Sequence, residues 1–280
     1  MHLYTIDTGF FKLDGGAMFG VVPKTIWNKL NPADEKNLCN WAMRCLLIED
    51  GNQLILIDNG IGNKQSEKFF GYYDLNGTAS LYSSLSQLGF HSDDITDVVL
   101  SHLHFDHCGG SIEWNNDRTK YLTAFKNATY WSNEEHWQHA LDSNPREKPS
   151  FLTENILPIQ ESGQLKFVEI GNEVAEFMKL PKVYGHTEAM MLPHIQYNGN
   201  TVVFCADLIP SIGHLPVNYV MAYDIKPLES MRDRQLFLEQ AVKNDHILFF
   251  EHDPINECCT VTKNERGQFV PDRIFKLADL

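Results

Sequence analysis

The chain is 280 residues long and 43% hydrophobic, enough to bury a substantial core, and no Pro/Gly/Ser linker or charge block divides it, so a single domain over 1–280 is expected. Its 23 Lys and Arg stand against 37 Asp and Glu, a formal net charge of -14, and it lacks the clustered basic residues that phosphate contacts draw on, which argues against nucleic acid as a partner. The opening MHLYTIDTGFF has neither the basic start nor the apolar core of a secretion signal, and no apolar run approaches the roughly eighteen residues of a membrane span, so a cytoplasmic protein with no membrane partner is expected.

Taken in chain order, the first forty residues are rich in Gly and aromatic residues and read as an ordered loop region with a short helix near Lys24 to Leu30. A hairpin follows, with apolar strands over Ala42 to Glu49 and Gln53 to Asp58 joined by the turn signal Asp50-Gly51-Asn52. Thr78 to Leu88 reads as a helix started by Thr78 and ended by Gly89, and Asp97 to Leu100 as a buried strand. Ala128 to Trp131 suggests a strand and Asn133 to Leu141 a helix capped by Ser132, while Asp142 to Pro158, with three prolines, reads as irregular. Gln164 to Ile170, Glu173 to Leu180, Met190 to Tyr197 and Thr201 to Cys205 read as strands, the last two around an Asn198-Gly199 turn. Pro227 to Lys243 has helical spacing and His246 to Phe250 is another buried strand. This order suits an α/β architecture, two sheets packed face to face with helices outside.

The run SHLHFDHCGG, residues 101–110, packs His102, His104, Asp106 and His107 into six positions directly after the strand that ends at Leu100. Residues two apart on an extended chain point the same way, so His102 and His104 can close on one cation, and Asp106 and His107 lie past the strand end, where a turn can aim them at a second. Zinc accepts imidazole nitrogen and carboxylate oxygen, and a pair of such ions can hold an activated water. Gly109 and Gly110 permit the tight backbone path. Two further apolar runs end in metal-type residues, Val202 to Cys205 before Asp207 and Ile247 to Phe250 before His252, and strands lying side by side or facing would bring these ends to one edge. Cysteines 39, 45, 108, 205, 258 and 259 have no spacing that suggests a disulfide framework or a four-cysteine zinc site, so reduced thiols are expected. Cys108 reads as a small structural side chain, with a place facing the metals as the alternative.

Gly185-His186-Thr187 adds a glycine that frees the backbone to aim an imidazole inward. Together with LLIEDGNQLILIDNG, SHLHFDHCGG, FCADL and FFEHD, it makes the chain resemble the metallo-β-lactamase-fold hydrolases from about Ala42 to His252, with the His-x-His-x-Asp-His element as the most specific part. The resemblance implies an αββα sandwich, two mixed β-sheets flanked by helices. It implies that His102, His104 and His186 hold one divalent metal ion, that Asp106, His107 and His252 hold the other, and that Asp207 bridges both. Two ions are expected, zinc by preference. Asp58 matches a family aspartate that supports the ligands from behind, with a simple turn aspartate before Asn59-Gly60 as the alternative.

Within that superfamily, β-lactamases carry a cysteine where this chain has Asp207, and Cys205 lies too early to replace it. The flavin-linked di-iron reductases carry a glutamate in place of His104 and an added flavodoxin domain, and the nucleases need basic surfaces. The segment FKLDGGAMFGVVPKTIW looks like that of the subgroup containing quorum-quenching N-acyl-homoserine lactonases and related organophosphate and aryl-ester hydrolases, in which residues 1–40 would form a substrate-entrance segment. By that likeness Met18, Phe19 and Trp27 contact an acyl chain; core packing or a homodimer interface would use the same apolar side chains. Two departures stand out: Pro210 occupies the place of a substrate-binding tyrosine, with His214 or Tyr223 as replacements, and Gly185-His186-Thr187-Glu188-Ala189-Met190 keeps the first but not the second histidine of the usual segment. The expected activity is lactone opening by a hydroxide shared between the metals, with Asp106 passing a proton to the departing alkoxide. Hydrolysis of aryl esters or phosphotriesters, or a mononuclear-iron persulfide dioxygenase, are the alternatives, and a small-molecule substrate is common to all.

Overall fold

A computed structural model describes residues 1–169, 171 and 173–280. The chain forms two compact units, Met1–Gly9 with Met43–Glu176 and Phe10–Ala42 with Phe177–Leu280. Each is built around a six-stranded mixed sheet.

The first sheet takes, in spatial order, the strands His2–Asp14, Leu38–Asp50, Gln53–Ile57, Asp97–Val99, Thr129–Ser132 and Leu165–Phe167. The hairpin pairs Leu46 with Ile57 and Asp50 with Gln53, closed by Gly51 at φ +58°, which matches the Asp50-Gly51-Asn52 turn. From Gln53–Ile57 onward the neighbours are parallel, in register Ile55 to Asp97 to Thr129. Parallel strands buried on both faces read as near-continuous apolar runs, and Leu54, Leu56, Val98 and Leu100 enter one core with Ile6, Leu103, Phe125, Tyr130, Trp137 and Ile159.

The first forty residues depart from the loop reading, because His2–Asp14 is a thirteen-residue strand. Gly9 at φ +102° breaks its two-residue alternation, so the inward positions Ile6, Gly9 and Phe11 carry no regular period. Glycine-rich chain begins only at the short helix Gly15–Phe19, where Asp14 accepts the Ala17 N–H at 2.9 Å. The second short helix is Lys24–Trp27. Two expected caps shift. The helix Leu81–Gln87 starts from Ser80, paired with Ser83 in a capping box, and not from Thr78; Asn133, not Ser132, caps Glu134–Leu141 by accepting the His136 N–H at 2.9 Å. Asp142 to Pro158 is not wholly irregular, since Thr153–Glu161 is a helix that runs through Pro158. Proline removes one backbone bond there, and burial of Ile156 and Ile159 offsets the loss. The expected strand over Gln164 to Ile170 is Leu165–Phe167, and Ile170 lies outside the described residues.

The second sheet runs Phe269–Phe275, Cys258–Lys263, Ile247–Phe249, Asn200–Phe204, His194–Tyr197 and Met178–Lys179. Pro193 offers no N–H and divides Met190 to Tyr197 into two pieces, Met190–Met191 and His194–Tyr197. Asn198 and Gly199, at φ +49° and +80°, make the predicted hairpin turn. Asn200–Phe204 and Ile247–Phe249 are parallel, with Phe204 opposite Phe249. The last two strands, Cys258–Lys263 and Phe269–Phe275, were not expected; exposed residues at Thr262 and Lys263 and from Asp272 to Ile274 give them no apolar run to read. The eighteen-residue helix Pro227–Asn244 buries Arg234, Phe237, Leu238 and Ala241 and ends at Asp245 in the left-handed region. Among the described residues no helix is long and apolar enough to cross a membrane. The six cysteines are all buried.

His194 stacks on Phe237 and lies 5.7 Å from the His246 ring, and His194 Nε2 and His246 Nδ1 are buried without a hydrogen-bond partner. Burial, with His246 nearby, pushes His194 down to about 4, and burial lowers His246 as well. Both are held neutral in the folded chain while the unfolded chain takes up protons below about 6.5, so stability falls as pH drops through that range toward 4. The melting temperature should decline between pH 7.5 and 5.5, and His194→Phe should flatten that slope; an unchanged slope would place the acid sensitivity elsewhere.

Candidate metal centre

In the first unit, parallel pairing sets the site. Gln53–Ile57 and Asp97–Val99 end side by side, which places Asp58 against Ser101. Beyond Leu100 the chain bends at Ser101, runs without helix or strand through His104 and then turns into the short helix Phe105–Cys108, so His102 and His104 leave a loop while Asp106 and His107 sit on a helical turn. Gly109 and Gly110 have a contact reason. A Cβ on Gly109 would lie 2.2 Å from the Ile61 carbonyl oxygen, and one on Gly110 2.2 Å from that of Asn59, although Gly109 itself has an ordinary helical φ of -61°. That close approach carries the bonds Asn59 N–H to His107 C=O at 2.9 Å and Gly110 N–H to Gly60 C=O at 2.9 Å. Cys108 is structural: its Sγ lies 3.3 Å from the Leu103 carbonyl, and burial pushes the thiol up to about 12.

The hydrogen-bond network fixes which ring nitrogens are available. Asp58, fully buried, accepts the Ser101 N–H at 2.7 Å, the Ser101 hydroxyl at 2.5 Å and the His107 Nδ1–H at 3.0 Å. Because the Ser101 hydroxyl donates to Asp58, its oxygen accepts from His102 Nδ1 at 3.1 Å, which turns His102 Nε2 toward the site. Glu147 takes the His104 Nε2–H at 3.3 Å, which turns His104 Nδ1 toward the site. Those two nitrogens face one another at 3.2 Å. Two nitrogens each about 2.05 Å from a tetrahedral cation lie about 3.3 Å apart, close to that separation. His107 Nε2 lies 3.7 Å from Asp106 Oδ2.

In the second unit the same device recurs. Asn200–Phe204 and Ile247–Phe249 end in register, and Asp207 and His252 each follow three residues later. His186 is delivered by the loop after Gly185, where a Cβ would lie 2.2 Å from the Ser230 backbone nitrogen. Asp224 accepts the His186 Nδ1–H at 2.8 Å and the Ala42 carbonyl accepts the His252 Nδ1–H at 2.7 Å. Both Nε2 atoms then face Asp207, His186 toward Oδ2 and His252 toward Oδ1, each at 3.1 Å. Burial alone would push the His186 pKa down, yet Asp207 and Asp224 outweigh it and raise it to about 10, the mark of a strongly cation-seeking spot.

The residues expected to meet substrate are distributed differently. Met18, Phe19, Trp27 and His214 are buried. Phe19 stacks between Trp27 at 5.6 Å and His214 at 4.4 Å, with Trp41 alongside at 6.2 Å. Both His214 nitrogens are engaged, Nδ1 with Ser211 at 2.8 Å and Nε2 with the Met18 carbonyl at 2.9 Å, and burial with Arg234 holds its pKa down to about 3. Tyr223 is 40% exposed. The sequence reading missed the buried acceptors Asp224 and Glu147, because a lone carboxylate beyond the metal motif carries no spacing signal, and gave no role to Ser101, the first residue of that motif. It also missed that Phe105, between His104 and Asp106, packs under Phe69 at 5.4 Å and Tyr73 at 4.8 Å.

The chain thus carries groups of His and Asp fit to hold metal. A family model for the metallo-beta-lactamase superfamily matches residues 44–252, and the chain belongs to that superfamily. It is similar in structure to a probable metal-dependent hydrolase from Staphylococcus aureus, at 27% identity, 98% of this chain and 96% of that one, with a TM-score of 0.88. AidC, a dizinc quorum-quenching lactonase solved with a product, N-hexanoyl-L-homoserine, shares the fold at 21% identity, 98% and 95% coverage and a TM-score of 0.79. An N-acyl homoserine lactonase of Bacillus thuringiensis is 28% identical over 143 residues, 46% of this chain and 53% of that enzyme, so the match spans about half the length of that relative.

Asp58→Ala removes the acceptor behind both Ser101 and His107. Metal affinity should fall about 10–100-fold, read as metal-to-protein ratio after dialysis against graded chelator.

Proposed function

We propose that this chain is a dinuclear-metal hydrolase that opens the lactone ring of N-acyl-homoserine lactones. The observation that carries the reading is Asp207, whose two oxygens each face a different imidazole, the disposition a bridging carboxylate needs. In this reading His102, His104 and His186 serve one cation, Asp106, His107 and His252 the other, and Asp207 both, with zinc favoured by the nitrogen and oxygen donor set. Asp58 positions His107 and the Ser101 loop. Bound there, the cations would supply a water acidified toward a pKa of about 7 and positive charge for the carbonyl oxygen.

The chain's own residues do the rest. The Asp106 carboxylate takes the proton of the attacking water and returns it to the ring oxygen as the acyl carbon–oxygen bond breaks, so that hydroxy acid leaves with atoms balanced. Phe105, Phe69 and Tyr73 make an apolar wall beside Asp106, suited to an alkyl chain. Of the residues assigned to substrate, Tyr223 is the exposed one; Met18, Phe19, Trp27 and His214 act from below by fixing shape. The superfamily and the lactonase relatives support this substrate class.

Metal-loaded protein should turn over lactones of graded acyl length faster than aryl esters or paraoxon-like phosphotriesters, and chelation should abolish activity until zinc is restored. Preference for esters or phosphotriesters would keep the site chemistry and replace the substrate; one iron per chain with oxygen consumption would replace both. Asp106→Asn should keep the fold and lower kcat by about 10²–10⁴. Tyr73→Ala or Phe69→Ala should raise KM for long-chain lactones more than for short ones, and equal effects on both would remove the wall from the acyl site.

A further inference from the structure

Behind the expected donor His104, one cluster in the first unit has the geometry of a controlling element: Glu147, His139, Asn144 and His136. Glu147 is 3% exposed, an expensive place for a carboxylate unless its oxygens are well used. Oε1 accepts from His104 Nε2 at 3.3 Å. Oε2 accepts from His139 Nε2 at 2.7 Å and from the Asn144 side-chain amide at 3.2 Å. The Glu147 backbone is itself held, its N–H reaching the Asn144 carbonyl at 3.1 Å. His136, one helical turn before His139, accepts the N–H of Leu103 at 2.9 Å. The helix Glu134–Leu141 therefore grips the His-x-His segment twice, at the backbone between the two histidines through His136, and at the second ring through His139 and Glu147. Phe151 closes the cluster, its ring 4.9 Å from His104 and 5.8 Å from His139.

We propose that Glu147, seated by His139 and Asn144, is the positioning residue that selects Nδ1 of His104 as the metal-binding atom and strengthens it as a donor. The inference rests on the reading that His104 binds a cation. An imidazole has two nitrogens, and whichever one donates a hydrogen bond leaves the other as ligand. A carboxylate behind the ring both fixes that choice and raises the basicity of the coordinating nitrogen. Here it leaves Nδ1 facing His102 Nε2 at 3.2 Å. Without Glu147 the ring loses its reason to stand in that orientation.

The test is zinc and cobalt binding to the full chain, followed as stepwise dissociation constants by competition with a chromogenic chelator, together with the melting temperature of the metal-free protein. Glu147→Leu should weaken one of two binding steps about 10–100-fold and leave the other nearly unchanged. Glu147→Gln keeps an oxygen acceptor for His104 and should recover part of the loss, and His139→Gln should give a smaller defect in the same step. The visible spectrum of the cobalt form should change in Glu147→Leu. A lower metal-free melting temperature with both steps unchanged, or equal weakening of both, would overturn the proposal and leave Glu147 as a packing residue. Should Glu147→Leu fail to fold, the Gln variants decide on the same criteria. His104→Ala is run beside them: if it leaves both steps intact, the assignment of His104 as a ligand has failed, whatever Glu147 does.

Discussion

A lone pair has to be held open. Each imidazole in the candidate centre is fixed by an acceptor on its far side, a carboxylate for His104, His107 and His186, a hydroxyl for His102 and a backbone carbonyl for His252. With one nitrogen committed, the other is the one pointed inward, where it can serve a cation once it gives up any proton. The pattern repeats in both units on unrelated local chain, which sets it apart from casual histidine burial.

The acceptors are where they are because of strand pairing. Parallel neighbours end together, so the residues just past Ile57 and Val99 meet in one unit, and those past Phe204 and Phe249 in the other. The sheets supply the register and the apolar core supplies the rigidity; Asp58, His102, Asp207 and His252 follow the carboxyl ends of their strands, where open α/β sheets place their ligand sites.

Much of this was legible in the sequence where the signal was local. SHLHFDHCGG, the Asp50-Gly51-Asn52 and Asn198-Gly199 turns, and the apolar runs before Asp207 and His252 announced themselves by spacing. What stayed hidden was the part that depends on tertiary partners. Glu147 sits in a proline-flanked stretch that reads as loop, and Asp224 follows a tyrosine with no motif around it, yet both are buried behind ring nitrogens. The first strand was hidden by Gly9, and the helix over Thr153–Glu161 by Pro158. Phe19 and Trp27 looked available because aromatic composition does not say which way a ring faces; stacking against His214 and Trp41 turned them inward.

The nesting of Gly109 and Gly110 against Asn59 and Ile61 has an evolutionary corollary. Two stretches of backbone in van der Waals contact cannot change length independently, so an insertion between residues 59 and 64 would be transmitted to the donor loop. Past Lys64 the chain is largely exposed, and it is this permissive stretch that delivers Phe69 and Tyr73 over Phe105. Ligand chemistry and ligand choice thus lie on segments that can drift at different rates, which leaves such a scaffold free to acquire new specificities while its reactive machinery stays fixed.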